Sequence, residues 1–307
     1  MDLSQLETFL AVAEERSFSR AAVRLHRTQP AISQVIRKLE ASLGETLFDR
    51  AARDGSLTAA GELLRDYAKR LLALRREANS ALDELKSLER GRLQLAANEY
   101  TCMFLLPAID QFRRQFPEIG ISVHRMLASR IAEELSLRTF EIGVTSFRLD
   151  PEKFRTIAVY NDSLAFIVSP RHRLAKAARV SINDLGKENF IAHNVTSPLR
   201  RKVIEAFQRY RTPLNMGIDL PTIEAIKRFV SMGNGVALVP HLTIAHELEA
   251  GELVRVTVDE LEFKRVLRLV HRRPATLSYA GLAFLRTVRE LAQKHGPPYY
   301  YHVERAG

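Results

Sequence analysis

The sequence predicts an α/β multidomain chain: a winged helix-turn-helix at the N-terminus, one long linker helix, and a larger α/β part in two lobes. Three observations predict it. Residues 17–61 alternate short apolar stripes with turn signals, residues 58–90 carry a proline-free stripe at steps of three and four, and from Arg92 apolar strands alternate with helices. A length of 307 residues suggests about two domains with ordinary cores.

In the first of these segments Ala21, Ala22 and Leu25 form a helical stripe, and the chain turns at His26 and Arg27. Thr28 is a residue type that caps helices, its side-chain oxygen accepting from first-turn amides, and Pro30 costs nothing at an early helical position. Ile32, Val35, Ile36, Leu39 and Leu43 then recur at helical spacing, which leaves Gln29, Ser33, Gln34 and Arg37 facing away from the core. Glutamine can pair with adenine, arginine can fork onto guanine, and serine can donate or accept, so this face has the chemistry of base readout. A solvated face has a similar composition, but the cap, the turn and the preceding helix have the separation of a helix-turn-helix.

Gly44 can end this helix in the left-handed conformation. Residues 46–48 and 56–58 read as two short strands of a wing, joined tightly at Asp54 and Gly55. Arg50 and Arg53 sit at the edges of the hairpin, where a wing lies over phosphates; Arg53 is the stronger candidate.

From Thr58 to Arg90, Leu64, Tyr67, Leu71, Leu74, Ala78, Ala81, Leu85 and Leu88 recur in steps of three and four. That is a coiled-coil seam on a helix of roughly 45 Å. The opposite face, with Arg65, Lys69, Arg76, Asp83 and Lys86, is too polar for burial on two sides, so the helix reads as a dimerising linker.

Beyond it, strands are expected at 93–97, 119–126, 142–144, 164–168, 190–192, 216–220, 236–239 and 263–271. Helices are expected at 105–116, 131–137, 198–210, 222–232, 243–250 and 278–295. Crossings near Tyr160 and Arg265 divide these into two lobes with a cleft between them.

The net charge of +10 invites a simple nucleic-acid reading, but its distribution corrects that. Residues 1–90 hold fifteen basic and fourteen acidic residues, so most of the excess lies in the larger part. The head instead places six basic residues and no acid between Arg16 and Lys38. One cysteine excludes an intrachain disulfide framework and fits a reducing compartment. No apolar run has membrane-spanning length and no signal-peptide core follows Met1, so a soluble cytoplasmic protein without membrane attachment is expected.

No phosphate-cradling glycine loop, His-Glu-x-x-His, Gly-x-Ser-x-Gly or metal-spaced cysteine pair occurs. His241, His246 and Glu247 do not align on one helical face, and Gly233-Asn234-Gly235 is a turn signal. Neither enzymatic activity nor a metal or other cofactor is expected.

The residues also carry a resemblance. Ser17-Phe18-Ser19-x-Ala21-Ala22, Thr28-Gln29-Pro30-Ala31-x-Ser33, Leu39-Glu40, Leu43-Gly44, Leu47-Phe48-x-Arg50 and Leu57-Thr58-x-Ala60-Gly61 resemble, in order and spacing, the head of the LysR-type transcriptional regulators. Looser matches follow at Phe104-Leu105-Leu106-Pro107, from Leu137 to Val144, and from Val230 to Pro240. The resemblance implies a regulator that binds double-stranded DNA sequence-specifically, with Arg27, Thr28, Gln29, Pro30, Ser33, Gln34, Arg37 and Lys38 around the duplex. It implies homodimers that pair through antiparallel linkers, often assembled into homotetramers, with RNA polymerase among the partners. The larger part resembles the family's effector-binding domain, whose architecture is that of periplasmic binding proteins.

The implied division is 1–58 for the head, 59–90 for the linker, and 91–307 for the effector domain. Lobe I takes 91–161 and 266–307, and lobe II takes 162–265. In such sheets ligands bind beyond the carboxyl ends of strands, near helix N-termini. The rule selects Asn98, Glu99, Tyr100, Thr101 and Cys102; then Ala128, Ser129 and Arg130; then Thr145, Ser146 and Phe147; and, in lobe II, His193, Asn194, Thr196 and Ser197. Arg130 and the helix amides suit a small anionic effector, although the bulky Glu99 and Tyr100 depart from the family's small residues. Cys102, beside Met103 and Phe104, reads as a small core hydrophobe rather than a redox sensor. The rival function is a constitutive architectural DNA-binding protein whose larger part serves only oligomerisation.

Overall fold

The structure, a computed structural model, describes residues 1–49, 55–86, 91–195, 198–273 and 277–304. The first helix, α1 (Leu3–Glu15), starts at a capping box in which Asp2 accepts from the Gln5 amide at 2.8 Å and Gln5 accepts from the Asp2 amide at 2.9 Å. It buries Leu6, Phe9 and Val12 against Ala21 and Ala22 of α2 (Phe18–Arg24). Ser17 caps α2, accepting from the Arg20 amide at 3.3 Å. The end of α2 is a Schellman turn: His26 is left-handed at φ 51°, Arg27 N–H donates to Ala22 at 2.9 Å, and His26 N–H donates to Val23 at 3.1 Å. The chain therefore reverses in three residues and enters α3 (Gln29–Leu43).

Two expectations for α3 are corrected. Thr28 makes no side-chain cap bond; only its carbonyl joins the ladder, accepting from Ile32 at 3.1 Å. Pro30 removes one of the two amides such a cap meets. Leu43 lies 37% exposed, because Gly44 turns the chain away at φ 73°.

Among the described residues the wing has a single antiparallel bridge, between Phe48 and Leu57, where two short strands are expected. The reason is local: the Leu47 amide donates to the buried Glu40 carboxylate at 2.8 Å and is lost to any ladder. Arg50, Arg53 and Asp54 lie outside the described residues. Thr58 then caps α4 (Ala59–Lys86), accepting from Gly61 N–H at 3.1 Å while donating to Thr46 at 2.6 Å. A β-carbon on Gly61 would stand 2.1 Å from the Leu47 carbonyl oxygen, so only glycine lets α4 cross the wing this closely.

Along α4, Ala68 and Leu72 are buried in the head core, and Leu64 packs against it. Leu64 is thereby corrected as a seam residue. The exposed apolar stripe is Leu63, Tyr67, Leu71 and Leu74, running on to the exposed Ala78. The side chains of Ala81 and Leu85, and Leu88 altogether, lie outside the described part.

The larger part is built on an eight-stranded sheet. In lobe I, β1 (Gly91–Ala97) runs parallel to β2 (Ile119–Arg125) and β3 (Ile142–Thr145). The fourth strand, β4 (Phe154–Val168), is long enough to serve both lobes. Helices α5 (Glu99–Gln115) and α6 (Ala128–Ser136) connect the parallel strands, and the core centres on Leu95, Phe104, Leu105 and Phe112. Each such fully buried side chain contributes roughly 1.5–3 kcal/mol.

In lobe II, β5 (Asn189–His193) and β6 (Asn215–Leu220) are parallel, and β7 (Ala237–Pro240) and β8 (Val254–Val256) pair with the distal half of β4. Their helices are α7 (Pro198–Arg209), α8 (Ile223–Ser231) and the short α9 (Ala245–Glu249). The ninth strand, β9 (Lys264–Arg272), returns antiparallel to β4 and β3, and α10 (Tyr279–His295) closes lobe I.

The sequence reading starts α5 six residues late, because the Asn98 to Thr101 capping box opens the helix at Glu99. It also starts α9 early: Thr243 belongs to a 3-10 turn and donates to Pro240 at 2.7 Å. Three strands go unread: β8, the lobe I half of β4, and β10 (Tyr299–Val303), the tyrosine-rich tail. That tail pairs with β4 along the sheet edge, and Tyr299 lies 4.9 Å from Tyr160 between ring centroids.

Candidate nucleic-acid interface and interlobe cleft

On the head, Arg27, Thr28, Gln29, Pro30, Gln34, Arg37 and Lys38 are exposed and Ser33 is half-buried. Gln29 Nε2 donates to Ser33 Oγ at 3.0 Å, so the two candidate readers are paired with each other in the free protein. The six basic residues between Arg16 and Lys38 divide into groups that sequence order hides. Arg24 reaches back to Glu14 at 2.7 Å and Arg20 to Glu15 at 3.8 Å, and the bond to Glu14 raises the Arg24 pKa. Among the described residues, Arg27, Arg37 and Lys38 form no ion pair, which leaves their charge available to phosphates and bases.

The carboxyl ends of β1, β2 and β3 point to one edge of lobe I, where β5 ends in lobe II. Asn98 and Thr101 are buried and spend their side chains on the α5 capping box. Glu99 crosses between lobes: its Oε1 accepts from the Ile223 amide at the start of α8 at 2.8 Å. Its Oε2 lies 3.5 Å from His193 Nε2 and 3.7 Å from Arg125 Nη2. Tyr100 packs against the lobe II core and has the Arg265 guanidinium 4.7 Å from its ring centroid. Arg265 is held by Asp162 at 2.5 Å, with both side chains buried.

Other predicted cleft residues turn elsewhere. Thr145 is fully buried and donates to the Phe147 carbonyl at 2.8 Å, so its hydroxyl serves the turn. Arg130 lies 3.6 Å from Glu133 and 3.5 Å from Glu134 on its own helix. Ser129 and Asn194 are exposed, Ser146 and Phe147 are half-buried, and Thr196 and Ser197 lie outside the described residues. Cys102 is half-buried, and burial pushes its thiol up, away from the thiolate a redox sensor uses.

Sequence reading missed Arg125, Ile223, Asp162 and Arg265. Arg125 ends a predicted strand and was within reach of the same rule. Ile223 acts through its backbone, and Asp162 with Arg265 flanks the crossings, so neither carries a side-chain signal. An open concavity of about 820 Å³, lined in part by Arg171, His172, Arg173 and Glu188, lies at the amino end of β5. The cleft is at the carboxyl end of that strand, and Glu188 already holds His172 at 3.0 Å and neutralises Arg173.

The linker touches the effector domain directly. Lys69 on α4 donates to Glu134 on α6 at 3.1 Å with both side chains largely buried, and Arg75 bonds Glu7 on α1. A described path therefore runs from α6 through α4 to the head. Among the described residues no helix is long and apolar enough to cross a membrane.

Comparisons with known proteins agree with both parts. Residues 3–62 match the family model "Bacterial regulatory helix-turn-helix protein, lysR family", and residues 86–293 match "LysR substrate binding domain". A "Probable RuBisCO transcriptional regulator" of Synechocystis sp. is 33% identical over 93% of this chain and 85% of its own length. One of the same name from Cyanophora paradoxa is 34% identical over 96% and 93%. Among solved structures, CbnR, a LysR family transcriptional regulator, superposes with a TM-score of 0.71 over 94% of this chain and 99% of its own, at 21% identity. At that identity the likeness concerns the fold. Head and effector domain are matched in order over nearly the whole length, and the chain belongs to the LysR family of transcriptional regulators.

Proposed function

We propose that α3 reads the operator through Gln29, Ser33, Gln34 and Arg37, while Arg27, Lys38 and the wing arginines Arg50 and Arg53 hold the backbone. The observation that carries this is that Arg27, Arg37 and Lys38, exposed at and along the helix that follows the Schellman turn, form no ion pair among the described residues. CbnR is also known with its target DNA, at a TM-score of 0.70, and its fold is the one described here. The relatives' name makes a promoter of RuBisCO genes the first operator to test. In binding assays on the mapped operator, Gln29→Ala or Ser33→Ala relaxes base preference by about 1–3 kcal/mol per lost contact. Arg53→Ala weakens all sequences alike and lowers the salt slope by roughly one. Unaltered operator specificity in both α3 variants refutes the assignment.

Two chains pair through the stripe of Leu63, Tyr67, Leu71 and Leu74, whose exposure in a single chain supports the pairing. Assembly of dimers into tetramers, contact with RNA polymerase and a cytoplasmic setting complete this reading, and membership of the family supports them. The division at 58/59 and 90/91 is supported by α4 starting at Ala59 and β1 at Gly91, and the division into lobes at 161/162 and 265/266 by β4 pairing with β9 and β10 on one side and β7 and β8 on the other. The cleft takes a small anionic effector, through the lobe edges where Glu99, Ser129, Ser146, Phe147 and His193 lie. A Synechocystis CcmR regulatory domain of this fold is known with 2-PG, at a TM-score of 0.61 and 22% identity. A thermal-shift screen of phosphorylated and carboxylated metabolites, 2-PG among them, tests the reading. A ligand that stabilises the protein and alters operator affinity supports it, and a thorough screen without one overturns it. The chain acts by binding, with no catalytic step.

A further inference from the structure

Glu99 is the first residue of α5 in lobe I, yet both of its carboxylate oxygens face donors of lobe II. The Ile223 amide that donates to it at 2.8 Å is a first-turn N–H of α8, which has no partner inside its own helix. The second donor follows from the histidine. Val195 N–H donates to His193 Nδ1 at 3.3 Å, so in the neutral ring the proton sits on Nε2. That Nε2–H faces Glu99 Oε2 at 3.5 Å, too far for a hydrogen bond. Among the described residues both atoms are buried and without a hydrogen-bond partner. Arg125 adds positive charge at 3.7 Å from the same oxygen. Next to Glu99, the Tyr100 ring is seated on the lobe II core beneath Arg265.

We propose that Glu99 is a tethered ligand: its carboxylate takes the Ile223 amide of lobe II and stands in front of His193 Nε2–H, latches the two lobes together in the unliganded protein, and sets which effector can enter. This rests on the reading that the cleft takes an anionic effector. Such a molecule must evict Glu99, so it needs one acid group with two acceptor oxygens that take over the Ile223 amide and His193 Nε2–H. Carboxylates and phosphates share that chemistry. A neutral molecule lacks the charge to compete with a bound carboxylate. Glu99 is therefore a specificity-determining residue, and it keeps the affinity for simple anions low.

The test uses the full-length protein at matched ionic strength, titrated with sodium phosphate and, separately, sodium acetate, with thermal stability as readout. Phosphate contacts of the head are common to every variant and cancel. Glu99→Ala is expected to tighten the apparent affinity for one or both anions by roughly tenfold or more, within the usual range of coupling between sites. Adding His193→Ala to it removes the gain. The larger response, phosphate or acetate, identifies the acid group. Hydrogen exchange at the start of α8 is a second readout: Glu99→Ala accelerates exchange of the Ile223 amide, whereas Glu99→Gln, which keeps an acceptor oxygen, preserves its protection. Folded Glu99→Ala protein with wild-type anion curves, or with unchanged Ile223 exchange, overturns the proposal. Failure of the effector reading itself is a different result: a metabolite that stabilises wild type and does not compete with phosphate in Glu99→Ala.

Discussion

Glu40 and Gly61 show how single residues of the head motifs do structural work. Glu40 is buried and accepts from the amides of Leu47 at 2.8 Å and Phe48 at 3.5 Å, tying α3 to the wing. Glu40→Ala leaves those buried amides without an acceptor and lowers head stability by about 2 kcal/mol, measured by chemical denaturation. Gly61→Ala drives a methyl into the Leu47 carbonyl and is expected to cost more than about 2 kcal/mol, seen as loss of operator binding together with a lowered melting temperature. Gly55 is constrained twice, by φ 68° and by the Arg16 backbone 2.9 Å from where a β-carbon would sit. The motif residues could be read from the sequence; their reasons could not, because Glu40 meets a wing that is seven residues away and Gly61 a carbonyl fourteen residues away.

At the scale of elements, periodicity located most helices and strands but assigned some faces wrongly. Steps of three and four along α4 fit both a seam through Leu64 and one through Leu63, and only contact with the head core decides that Leu64 turns inward. The outward stripe predicts that Leu71→Asp or Leu74→Asp converts the proposed dimer to monomer in sedimentation velocity while the secondary structure is retained. Strand β10 was illegible for another reason. Three successive tyrosines show no alternation, and their strand forms only because β4 offers an unpaired edge and Phe104 with Tyr160 offers a surface for Tyr299. The half-buried Tyr160 has its pKa pushed up to about 12 by burial and by the neighbouring Tyr299 and Asp162.

For the whole molecule, two consequences follow. Lys69 and Glu134 join linker to effector domain, so a double-mutant cycle of Lys69→Ala and Glu134→Ala should show a coupling of about 1 kcal/mol in effector-dependent operator affinity. Additive effects would place the signal elsewhere. Acid sensitivity is the second. Burial, with Arg255 adding to it, pushes His241 below the usual histidine range; burial, with Arg155 and Arg273 adding to it, does the same to His271. Both resist protonation in the folded chain, while the unfolded chain takes up protons near about pH 6.5. Their stability contribution is therefore complete above that pH and is lost as pH falls toward the lowered folded values. The melting temperature should drop between pH 7.5 and 5.5, and His271→Gln should flatten part of that drop.

The local code by itself determined the head, because caps, turns and helical stripes act between residues a few positions apart and survive in one dimension. It also determined that strands and helices alternate beyond the linker, and that their carboxyl ends carry the polar turns. Tertiary structure alone decided which of those turns meet. It set Glu99 against Ile223 and His193, placed Tyr100 beneath Arg265, and turned Thr145 and Arg130 away. A contact between residues 124 positions apart depends on how two lobes close, and closure is set by the cores beneath them, which no local pattern records.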